Sequence, residues 1–213
     1  MPALAELTLF LVVLTDFTVL GTSRLTACIR AIALQGLLLG VLPLVLHPDP
    51  SFHAVALGAG TVAVKAGLLP WFLFWAIREA SVRREIEPRI GYMASLLLGA
   101  AALAVAFAVG NVLPPVPGAG TDLLVPVALV TVIIGLVVLT TRTKALTQVV
   151  GYLMLENGVY LFGLTQAARV SFLVEIGVLL DVFVGVFIMG IVVFHINREF
   201  DSISAARLSE LRD

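Results

Sequence analysis

Residues 151–181 read GYLMLENGVYLFGLTQAARVSFLVEIGVLLD, two apolar runs joined by the short polar turn TQAARVS. Each run reads as a membrane helix, yet three carboxylates lie inside them: Glu156, Glu175 and Asp181. An acid at the centre of a bilayer costs roughly 2.5–3.5 kcal/mol on insertion scales. Leu or Val would pack there without that cost. Acids kept at such depth are functional candidates by default, most often as stations for protons or ions. The stretch therefore decides the fold class and also where the chemistry is expected.

The rest of the chain fits the same reading. Of its 213 residues, 60 % are hydrophobic and 13 % charged, against about 45–50 % and 25 % in soluble domains. The composition predicts an all-α, polytopic transmembrane bundle. A bilayer core needs roughly 20 apolar residues of helix. Seven such spans fit, at about 4–22, 26–46, 54–77, 90–110, 122–141, 145–165 and 171–196, with Pro-rich breaks at HPDPSFH and NVLPPVPGAGTD. The first span carries Glu6 where a cleaved signal would carry positive charge, so it reads as a retained membrane helix.

Lys and Arg set the expected orientation. Eleven of the thirteen lie in connections on one side: Arg24, Arg30, Arg78, Arg83, Arg84, Arg89, Arg142, Lys144, Arg198, Arg207 and Arg212. Only Arg169 lies on the other, and Lys65 falls inside a span. This predicts the N-terminus outside and the C-terminus in the cytoplasm. Trp71 and Trp75, one turn apart at the inner end of the third span, suit an interfacial aromatic belt.

Depth singles out a constellation. Lys65, Glu156 and Asp181 each fall ten or eleven residues into their spans, ~15–17 Å from the membrane surface and near the midplane. Glu175 precedes Asp181 by six residues, which places it ~9 Å nearer the outside and about 120° round the helix. The four read as successive stations of a proton relay. The competing reading pairs them as structural ions and hydrogen-bonded carboxyls, with Asn157 in the same polar glue. Pro70 removes a backbone donor and crowds the carbonyl of Ala66, predicting a loosened helix just past Lys65. Gly36 and Gly40 offer a close helix contact. Asp16 reads as a surface-facing or capping group near the inner end of the first span. His195, at the cytoplasmic end of the last span, is a candidate proton entry because imidazole titrates near neutrality.

Other chemistry is excluded. Net charge is −1, so no nucleic-acid footprint exists. With Cys28 the single cysteine, no intrachain disulfide or thiolate cluster can form. No Walker A, GxGxxG or HExxH motif occurs. No cofactor, metal site or catalytic centre is expected in this chain.

The runs GYLMLENGVYLFG and VEIGVLLDVFVGVFIMGIVVFHINREF resemble component E of hydrogenase-4, a membrane subunit of group 4 [NiFe]-hydrogenase complexes of the formate hydrogenlyase type. VKAGLLPWFLFWAIRE resembles the third-helix region of that subunit. The last three spans separately resemble subunit K of respiratory complex I and the C subunit of Mrp antiporters. In subunit K the acid of the last helix is followed at the fourth position by glycine, and Asp181 with Gly185 matches that setting. The other subunit K acid aligns with Leu153, and here the glutamate stands three residues later, at Glu156. The resemblance implies a four-helix membrane part over 1–120 and a three-helix, subunit K-like part with a short cytoplasmic tail over 121–213.

It further implies a prokaryotic cytoplasmic membrane, with two kinds of membrane partner: antiporter-like proteins and relatives of the H-type membrane component of complex I. A peripheral [NiFe]/Fe–S module would be linked indirectly. On that reading the chain is a non-catalytic subunit of an oxidoreductase complex that lends Lys65, Glu156, Glu175 and Asp181 to a proton path. A self-contained transporter or Mrp-type antiporter subunit, and a structural or assembly subunit whose buried charges only pair, are the alternatives.

Overall fold

A computed structural model of the protein describes residues 2–46, 52–79, 89–113, 121–165 and 183–190. Every regular element among them is helical. Helix α1 spans Pro2–Gly21 and α2 spans Leu25–Leu46. Helix α3 (Phe52–Thr61) runs without a break into a π-helical segment, Val62–Leu68, and then into α4 (Leu69–Glu79). Helices α5 (Tyr92–Val112), α6 (Leu124–Thr141) and α7 (Ala145–Thr165) follow. A last helical run, α8, covers 183–190.

Five stretches are long and apolar enough to cross a membrane: Ala3–Gly21, Leu25–Leu46, Gly58–Arg78, Tyr92–Val112 and Leu124–Thr141. They coincide with the first five expected spans. Helix α7 occupies the sixth and has the length of a span. Gln148, Glu156 and Asn157 dilute its apolar content, and its polar residues are accommodated by burial, with Glu156 and Asn157 both inside the bundle. Of the expected seventh span, only 183–190 is described. Glu175, Asp181 and His195 lie outside the described residues, as does the TQAARVS turn beyond Thr165.

Helix α2 is the hub. It packs against α1, α3, the π segment, α4 and α7, while α6 and α7 form the most intimate pair. Lipid tails are as apolar as leucine, so helices in a bilayer associate through close packing and hydrogen bonds. Glycine supplies the closeness here. A Cβ added at Gly135 would strike the backbone of Leu155, one at Gly151 the backbone of Leu139, and one at Gly158 the backbone of Val132. These three positions press α6 and α7 together backbone to backbone. The expected Gly36–Gly40 contact is present on α2: Gly36 lies against the backbone of Lys65, and Gly40 against Val62 and the carbonyl of Gly58. Helix α5 turns a seam of small residues inward, Ser95, Gly99, Ala102 and Ala106. Its opposite side exposes Met93, Leu97, Val105 and Val109, and α1 exposes Leu4, Leu7, Phe10 and Leu14. Those faces are apolar enough to meet lipid or other membrane helices.

Arg142, which the sequence places as a charge in an aqueous connection, is instead buried to 1 % exposure at the end of α6. Its Nη2 donates to the carbonyl of Leu20 at 3.0 Å, and its guanidinium lies 5.5 Å from the centre of the Tyr92 ring. A cation at the C-terminal end of α1 satisfies an orphan carbonyl and complements the helix dipole. Burial lowers the pKa of Arg142 from its ordinary value. Guanidinium stays charged nonetheless. The Arg89 amide donates to the Thr141 carbonyl at 2.8 Å, tying the start of α5 to the same end of the bundle.

Candidate functional site

The centre of the site is an ion pair between elements far apart in sequence. Lys65 sits in the π segment and Glu156 on α7. Nζ donates to Oε1 at 2.8 Å, with the two side chains 6 % and 3 % exposed. The sequence puts both residues near the midplane, and the structure brings them into direct contact. Isolated, each charge would carry several kcal/mol of desolvation cost; paired, much of it is offset.

The local backbone explains how a lysine reaches that position. Pro70 lacks an amide proton and cannot extend an α-helical ladder back to Ala66. The chain widens instead, and the amide of Leu69 donates to the carbonyl of Val64, five residues back. The loosening expected just past Lys65 therefore surrounds it. Single π turns inside α-helices occur frequently at functional sites. Gly36 on α2, lacking a side chain, lets the Lys65 backbone close against α2.

A second polar chain runs beside the pair. Asn157 Nδ2 donates to Gln35 Oε1 at 2.9 Å, and Gln35 Nε2 donates to Asp16 Oδ1 at 2.7 Å. Thr131 Oγ1 donates to the other Asp16 oxygen, Oδ2, at 2.8 Å. Asp16 is 0 % exposed, which overturns its reading as a surface or capping group. Asn157 follows Glu156 directly in sequence. Thus α1, α2, α6, α7 and the π segment all contribute to one buried polar zone. Sequence reasoning missed Gln35 and Thr131, since an uncharged polar residue in an apolar run is an ordinary occurrence. Asp16 carried the same signal as Glu156, an acid inside an apolar run, and its nearness to a helix end obscured it.

Among the described residues no cluster of three or more His, Cys, Asp or Glu side chains could hold a metal. A mainly apolar cavity of about 480 Å³ lies between α6, α7 and α8, bounded by Leu139, Gln148, Tyr152 and Phe187 among others. None of the residues of the polar chain lines it.

Fold and site define a class: an all-helical bundle, with several helices fit for a membrane, that seals a charge pair and a polar chain inside. Such a bundle is compatible with a multi-pass membrane protein. The chain is 34 % identical over 203 residues to the uncharacterized protein Rv0085 of Mycobacterium tuberculosis, with 94 % of this chain and 92 % of the relative covered. It belongs to the same family as that protein. No family model matches the chain, and no solved structure matches it.

Proposed function

We propose that the chain is a non-catalytic membrane subunit of a redox-driven, ion-pumping complex related to respiratory complex I, of the group 4 hydrogenase type. Its contribution is a set of buried ionisable groups on a transmembrane proton path. The observation that carries this reading is the Lys65–Glu156 pair, sealed within the bundle at 2.8 Å and seated in a π turn. The resemblance to hydrogenase-4 component E supports the class of complex. The reading puts the chain in the cytoplasmic membrane of a prokaryote. Its neighbours there are antiporter-like proteins and the H-type membrane component, with the [NiFe]/Fe–S chemistry on other subunits.

Mechanistically, a buried lysine–carboxylate pair is a charge switch. While Glu156 is ionised it holds Lys65. A proton delivered to Glu156 removes that hold and frees the ammonium to interact with a different acid. Asp181, assigned to the path by the resemblance to subunit K, is the acid proposed for such an exchange. The return of Lys65 expels the proton onward. The reaction is a displacement of charges, so no bond to carbon is made or broken.

The test uses the complex purified from its native membrane. Lys65→Met and Glu156→Gln should each leave electron transfer to artificial acceptors largely intact and abolish most coupled proton translocation. Normal pumping in both variants rejects the relay and leaves a structural ion pair.

A further inference from the structure

We infer that Asp16 is a second proton-binding carboxyl, and that a concerted half-turn of the Gln35 and Asn157 amides transmits its protonation to the Lys65–Glu156 pair. The inference deepens the relay reading and rests on it for its purpose, though not for its test.

The geometry is directional. Asn157 donates to Gln35, and Gln35 donates to Asp16. Thr131 donates to the second carboxylate oxygen. Every donor points towards Asp16, which is the arrangement of an ionised carboxylate. The two donors that touch Asp16 are neutral. The elements packed on α1 offer little countercharge: α6 holds no titratable residue, α5 holds only Tyr92 beside Arg142, and α2 holds buried Cys28 and exposed Arg30. An acid with neutral donors and no contacting cation among the described residues exchanges a proton more readily than one fixed in an ion pair.

Protonation reverses the demand at one oxygen. A neutral Asp16 becomes a donor there and needs an acceptor. Gln35 can supply one by turning its amide so that Oε1 faces Asp16. Its NH₂ group then faces Asn157, whose oxygen must turn in to accept. The incoming proton stays on Asp16, and the amides exchange only hydrogen-bond partners. The Asn157 dipole is thereby reversed one residue from Glu156. Amide side chains are poor proton carriers but good two-state elements, because their two ends differ in chemistry and hardly in shape. The arrangement thus couples two titrating sites without a continuous water wire.

The experiment is infrared difference spectroscopy of the full chain in lipid nanodiscs, titrated from acid to alkaline pH, with carbon-13 in the aspartate carboxyls. A protonated-carboxyl band that vanishes with rising pH is expected. It should be absent from Asp16→Asn, and Asp16→Glu should restore a band outside the aspartate label. Asn157→Leu and Asn157→Gln should each move the titration midpoint of the Asp16 band by about one pH unit, a tenfold change in proton affinity. Absence of an Asp16-dependent band, or a signal that follows sodium concentration in place of pH, overturns the assignment of a proton site. An unmoved midpoint in both Asn157 variants overturns the transmission. Normal pumping by both the Lys65→Met and the Glu156→Gln complexes would defeat the relay reading alone, since the Asp16 titration is read without any pumping.

Discussion

Lys65 and Glu156 form a buried ion pair, so their contributions to the stability of the bundle are coupled. Removing one partner of a buried ion pair leaves the other charge uncompensated and typically costs about 3–5 kcal/mol, whereas replacing both with apolar groups of similar volume is often neutral or stabilising. Lys65→Met and Glu156→Leu should therefore each lower the thermal unfolding midpoint in detergent, and Lys65→Met/Glu156→Leu should recover most of the loss. A double variant as unstable as the singles added together would mean that each residue is held by other partners. Stability restored without pumping would separate the structural role from the relay. These two residues were legible in the sequence because a charge deep in an apolar run has no ordinary explanation. The burial of Asp16 and Arg142 was obscured for the opposite reason. Each lies near a helix end, where water is the default neighbour, and only the packing of α2 and α6 on α1, and of Tyr92 against Arg142, removes that water. Such burial is a property of neighbours, and no local pattern encodes it.

At the scale of elements, the decisive contacts are made by residues with nothing to show. Gly36 and Gly40 were readable as a contact because their four-residue spacing keeps both on one face. Gly135, Gly151 and Gly158 lie on two helices, and their meaning depends on how α6 registers against α7. Their effect should nonetheless be large. Gly151→Ala must force the Leu139 backbone away, an overpacking cost of about 1–3 kcal/mol. Gly60→Ala, where an added Cβ meets nothing within 4 Å, should be neutral or raise stability by about 0.5–1 kcal/mol through helix propensity. Paired melting curves of the two variants check this, and equal effects would refute the backbone-to-backbone packing of α6 on α7. The π segment was half legible. Pro70 announces that the ladder must be broken near Lys65, but where the chain absorbs the break depends on Gly36 and Gly40, which seat the widened turn against α2.

Among the described residues, one end of the bundle can be matched across helices. The end of α1, the start of α5 and the end of α6 meet at one pole, through Leu20, Tyr92, Thr141 and Arg142. The same connections carry Arg24, Arg89 and Lys144, and Arg30 lies in the second turn of α2, so these described positive residues gather at the pole that the packing defines. Arg142 itself is buried there. It contributes to packing more than to orientation, and setting it aside leaves ten of the remaining twelve Lys and Arg residues in the sequence pattern that predicts the cytoplasmic side. The positive-inside bias predicts that this pole faces the cytoplasm. Cysteine labelling in intact cells reads this directly. Cys28 is buried and offers little background. A membrane-impermeant maleimide should label Gly118→Cys in intact cells, and Ser204→Cys only after permeabilisation. Labelling of both from the same side would overturn the orientation.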